Sequence, residues 1–130
     1  MKSVVVDTHA IVWYFTGDPR LPETAHRLLE DAERGDGQVL VPTIVLAESA
    51  HIAQRKKAPV PIEKVVSVLR EENGFAVVPF DFEIFSTVLR LPAEWELHDR
   101  IIAATAKYYR AALLTKDRVL RDARDLETIW

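Results

Sequence analysis

Four acids in this 130-residue chain stand where a structural role explains them poorly or incompletely: Asp7, Glu48, Asp99 and Asp117. Asp7 directly follows the β-branched run Val4-Val5-Val6, and Asp117 comes two residues beyond Ala112-Leu113-Leu114-Thr115. In parallel α/β sheets, ligands gather at the carboxyl ends of strands, where both acids are expected. Asp117 also reads as the N-cap of a short helix. Asp7 is a poorer cap, because no helix pattern with a polar face follows it. Glu48 shares a helical face with Ile44 and Ile52, which sets a carboxylate on an apolar stripe. Such a group needs a cation, whether a metal or an arginine such as Arg55. Asp99 reads as an N-cap, yet it is in phase with Ile102, Ala103 and Ala106, and the small alanines would let this helix pack close to a sheet.

If the four converge, they form a pocket of like charges that requires a cation or bound protons. Oxygen-only ligands favour Mg²⁺ or Mn²⁺. Such an ion keeps several waters and takes phosphate oxygens readily, the chemistry of phosphodiester hydrolysis. Cysteine is absent, which excludes thiolate catalysis, zinc–thiolate sites and disulfides.

The elements that must position these acids alternate. Strands are expected at Val4–Val6, Gln38–Val41, Phe75–Pro79 and Ala112–Thr115, with an edge strand within Leu126–Trp130. Helices are expected at Glu23–Glu33, Ile44–Arg55 with Thr43 as N-cap, Ile62–Glu72, Asp81–Leu91, Asp99–Tyr109 and Asp117–Ala123. Short apolar strands between helices of about ten residues imply a mainly parallel sheet covered on both faces, a three-layer α/β/α sandwich. The length suits one domain over residues 1–130, and 48% apolar residues suffice for a core. The start, Met1-Lys2-Ser3-Val4-Val5-Val6-Asp7, is too short in apolar residues for a signal peptide, and no apolar run reaches the ~18 residues of a membrane helix. A soluble, cytoplasmic protein is expected.

The blocks "VVVDTHA", "PTIVLAES", "LHDRIIAATA" and "ALLTKDRVL", with "GDPRLPETAHRLLEDA" between the first two, resemble the motif blocks of PIN domains, most closely the VapC-type toxin ribonucleases of toxin–antitoxin pairs. The resemblance spans nearly the whole chain. It implies a compact α/β/α fold, Mg²⁺- or Mn²⁺-dependent cleavage of RNA, a homodimer and a cognate antitoxin. It also implies metal binding by Asp7, Glu48, Asp99 and Asp117, supported by the hydroxyls of Thr8 and Thr115. His9 and His98 are not general ligands of that family and read as pocket-edge or structural residues.

The net charge of −3 gives no reason by itself to expect a nucleic acid. Residues 98–124, however, hold seven bases against three acids. Arg100 and Lys116 adjoin acids and are the RNA-binding candidates. Arg121 and Arg124 read as an ordinary solvated face. Arg55-Lys56-Lys57 reads as a helix end favoured by its dipole. Trp13, Tyr14 and Phe15 read as core or a dimer patch. Two other functions compete with the nuclease: a catalytically inactive PIN-like binding module, and a phosphorelay receiver-like domain. The receiver lacks support, because the strand Gln38–Val41 runs into Pro42-Thr43 without an acceptor aspartate.

Overall fold

Five short apolar segments pair entirely in parallel. In a computed structural model, which describes residues 3–130, β1 (Val4–Val6), β2 (Val39–Pro42), β3 (Phe75–Val78), β4 (Ala112–Leu114) and β5 (Thr128–Ile129) form one sheet in the order β3-β2-β1-β4-β5. Successive strand residues point to opposite faces, yet every residue of β1, β2 and β4 is buried. Both faces are therefore covered by helices, giving the expected three layers. The helices are α1 (Thr8–Thr16), α2 (Glu23–Glu33), α3 (Thr43–Gln54), α4 (Ile62–Arg70), α5 (Phe82–Val88), α6 (Leu97–Tyr109) and α7 (Arg118–Arg121).

The topology fixes where a site can form. From β1 the chain moves outward through β2 to β3, then returns to place β4 and β5 on the other side of β1. The strand order thus reverses between β1 and β4, and the crevice outside their carboxyl ends is the place where ligands bind in such sheets. α6 packs over these two strands through Ile102, Ala103 and Ala106, which are buried with Val5, Val6, Leu113 and Leu114. The alanines permit that close approach. Each fully buried Leu, Ile or Val contributes about 1.5–3 kcal/mol, so this layer also holds the crevice rigid.

Three local expectations are corrected. Asp7 does cap a helix, because α1 begins at Thr8; the helix buries Thr8, Ala10, Ile11, Val12 and Trp13, and so lacks the polar face by which helices are recognised. Thr43 is the first residue of α3 rather than its cap, and its hydroxyl instead accepts from the backbone N–H of Phe80 at 3.2 Å. Asp99 is the third residue of α6, not its N-cap; Glu96, in extended conformation, holds that position.

Gly74 sets the entry to β3. Its N–H donates to the carbonyl of Ala32 at 2.7 Å, and a Cβ there would lie 2.4 Å from the carbonyl oxygen of Gly37. Among the described residues, no helix is long and apolar enough to cross a membrane.

Candidate active site

The carboxyl ends of β1 and β4 are laced together. The N–H of Asp7 donates to the carbonyl of Leu114 at 3.0 Å. Its Oδ1 accepts the N–H of Thr8 at 2.6 Å, and its Oδ2 accepts the hydroxyl of Thr115 at 2.6 Å. The Thr115 oxygen in turn accepts the N–H of Asp117 at 3.0 Å. The Thr8 hydroxyl donates to Oε1 of Glu48, which α3 brings in from the end of β2. Two threonines therefore join the carboxylates of Glu48 and Asp7 to the backbone of Asp117 in one chain of contacts: Glu48, Thr8, Asp7, Thr115, Asp117. Each hydroxyl has one proton to donate, and each spends it on an acid.

Asp7 is buried, and that burial raises its pKa. The bonds from Thr115 and Thr8 and the nearby His9 pull it down, while the charge of Glu48 pushes it up. Asp117 caps α7, its Oδ1 accepting from the N–H of Leu120 at 3.2 Å, so the capping reading of this residue holds beside its place in the site. Asp99 faces the same space from the first turn of α6, where the helix dipole favours an anion. Its pKa is nonetheless pushed up to about 6, first by burial and then by the charges of Asp117, Asp7 and Glu96.

All four acids line one open cleft, together with His9, Glu96, His98, Ile102, Lys116 and Arg118. Glu48 is half-buried and bonds to Thr8 rather than to Arg55. Arg100 stays out of the cleft: its Nη2 donates to the carbonyl of Val88 on α5 at 3.3 Å, and its Nε is buried without a partner among the described residues. Lys116 is at the rim, with its Nζ 5.5 Å from the centre of the Trp13 ring. Trp13 is almost fully buried, which bears out its core reading, and His9 packs edge-on against it. Glu96 carries no expectation from the sequence, and Arg118 is there only one of the seven bases of residues 98–124. Adjacency to His98-Asp99 and to Asp117 was the available signal for each.

The donor set decides which cation suits this cleft. It is made of carboxylate oxygens, with two histidines at the edge. Among the described residues, no three acids or histidines stand close enough together to hold a metal ion by themselves. That arrangement is wrong for a tetrahedral structural metal. It fits a hard divalent ion that takes one or two carboxylates and completes its shell with water and phosphate oxygens.

Comparisons with known proteins agree with this fold. The model of the PIN domain family matches residues 4–126. The curated protein "Ribonuclease VapC22" of Mycobacterium tuberculosis is 27% identical over 134 residues, with both chains covered in full. In the solved structure of VapBC2 from Rickettsia felis bound to a DNA fragment from their promoter, one chain superposes with a TM-score of 0.72 at 18% identity, covering 98% of each chain. A chain of a toxin–antitoxin complex from Klebsiella pneumoniae does so with a TM-score of 0.69 at 20% identity, covering 98% of this chain and 96% of that one. At these identities the solved structures establish a shared fold.

Proposed function

The chain belongs to the PIN domain family, and from that premise we propose that it is a divalent-metal-dependent endoribonuclease, the toxin of a toxin–antitoxin pair. One observation carries the reading: four acids from four separate stretches of sequence line one cleft at the switch point of the sheet. The similarity to a curated ribonuclease across its full length supports the choice of RNA as substrate.

Asp7, Glu48, Asp99 and Asp117 are the residues that would hold Mg²⁺ or Mn²⁺. When bound, the ion lowers the pKa of a coordinated water and offsets negative charge on the phosphate. The chain's own groups do the positioning. Thr115 and Thr8 fix both oxygens of Asp7, and Thr8 also fixes Glu48. Asp117 is immobilised by its bond to the N–H of Leu120 and by its own N–H on Thr115. Lys116 and Arg118, at the rim, meet phosphate oxygens and orient the scissile bond over the acids.

An antitoxin partner is supported by the solved toxin–antitoxin complex of the same fold. A homodimer, expected from the family resemblance, has apolar surface available: Phe82 and Phe85 of α5 and its C-cap Leu89 are exposed. The deciding experiment is cleavage of total RNA by the purified chain with Mn²⁺, with excess EDTA, and with Asp7→Asn. Cleavage only by the wild-type chain with Mn²⁺ supports the reading. Undiminished cleavage in EDTA refutes the metal dependence, and no cleavage with Mn²⁺ favours the inactive binding module.

A further inference from the structure

An acidic cleft repels the polyanion it is to cut, so affinity has to come from its flanks. Arg118 lines the cleft and also lines a second, adjoining groove with Arg121, Asp122 and Thr128. Arg118 and Arg121 are exposed and one helical turn apart on α7, so their side chains share a face. Among the described residues neither is ion-paired. Arg20, Arg27 and Arg34, by contrast, are each matched to a nearby carboxylate. Asp122 is the groove's one acid, which leaves a net positive charge between the reactive cleft and β5. Thr128 adds a hydroxyl at the far side.

We propose that Arg118, Arg121 and Thr128 form a second binding site, which holds the backbone phosphate of single-stranded RNA as the strand leaves the acidic cleft. The inference deepens the nuclease reading and rests on it for the identity of the ligand. Guanidinium groups without carboxylate partners present their N–H forks to phosphate oxygens without first breaking a salt bridge. The groove contacts backbone only, so it adds affinity without sequence preference. Arg121, which reads from sequence as a solvated face, is therefore assigned to the substrate path.

The test is binding of a fluorescently labelled twelve-nucleotide RNA of mixed sequence to the Asp7→Asn chain, followed by anisotropy across a salt series. Arg121→Glu and Arg121→Gln are compared with Arg27→Gln, a change to an ion-paired arginine elsewhere. The Arg121 changes weaken binding severalfold and flatten the slope of log affinity against log salt by about 0.7, the value for one lost contact to a single strand. Arg27→Gln leaves both unchanged. In cleavage assays with Asp7 restored, Arg121→Gln raises KM on the long RNA, leaves kcat alone, and has no effect on a substrate that ends at the cleft. Binding that ignores Arg121, a change in kcat without KM, or binding of a polyglutamate peptide in preference to RNA overturns the proposal. Salt-dependent binding that requires Arg121, in a chain whose wild type cuts nothing, overturns the nuclease reading and leaves the groove standing.

Discussion

The hydroxyl of Thr115 donates to Oδ2 of Asp7 across 2.6 Å, joining the ends of two strands 108 residues apart in sequence. Both residues are buried, so this bond is formed away from competing water. It does two jobs at once. It holds β1 and β4 at the register where their carboxyl ends meet, and it lowers the pKa of an acid that burial raises.

Thr115→Val separates those jobs from packing. The shape is kept, but Oδ2 of Asp7 and the N–H of Asp117 each lose a partner. Leaving buried groups unsatisfied costs about 1–3 kcal/mol each, so a loss of that order is expected in urea unfolding. The Asp7 pKa moves further up, and RNA cleavage falls most at low pH. Thr115→Ser restores both. Equal stability of the valine variant and the wild type counts against the network.

Asp99 makes stability depend on pH in the metal-free chain. Its folded pKa of about 6 lies above the ordinary value of 3.8, so the folded state binds the proton more tightly. Its contribution is fully present below pH 3.8 and is lost as pH rises through about 6. In EDTA, the wild type therefore loses stability between pH 4 and 6.5 relative to Asp99→Asn, which carries no titrating group there. The measurement is the difference in Tm between the two chains across that range. A difference that stays flat shows that Asp99 titrates normally.

The strand ends could be read from sequence because the β-branched run Val4-Val5-Val6 stops abruptly at Asp7 and the apolar run Ala112-Leu113-Leu114 stops near Asp117. Glu48 was legible because a carboxylate in phase with Ile44 and Ile52 breaks an otherwise apolar pattern. α1 was not, since a helix buried on most sides has no amphipathic signature. Arg100 shows a different failure. It is next to Asp99 in sequence, but consecutive helical residues point about 100° apart, and its guanidinium runs to the end of α5 instead of the cleft. The expectation of Thr43 as a cap failed because the partner of its hydroxyl, Phe80, comes from a distant segment.

Gly74 is required by close approach rather than by its backbone angles. A methyl group there meets the carbonyl oxygens of Gly37 and Ala32 at 2.4 and 2.8 Å, both of them backbone atoms. Gly74→Ala must push β3 away from the turn before β2, at a cost of about 1–3 kcal/mol for overpacking. Urea unfolding checks the size of the loss. Cleavage per folded molecule stays near the wild-type value, because the cleft lies at the opposite ends of the strands. An unchanged midpoint shows that the turn gives way freely.

The last prediction turns on a cost that the fold carries. A buried carboxylate beside other carboxylates destabilises the metal-free chain, as the raised pKa values of Asp7 and Asp99 record. A divalent cation offsets both the burial of that charge and the repulsion from its neighbours. Asp7→Asn removes the charge while its amide oxygen can still accept from Thr8 or Thr115, so metal-free stability stays level or rises. The response to Mn²⁺ must then shrink. For the wild type, an ion at a hundred times its Kd adds about 2.7 kcal/mol. A gain of that order raises the Tm of a chain this size by several degrees, roughly 4 °C for each kcal/mol. Asp7→Asn shows little of that gain, and Glu23→Gln, an exposed acid on α2, shows all of it. A purely structural Asp7 gives the reverse pattern: lower stability without metal and an undiminished rise with it.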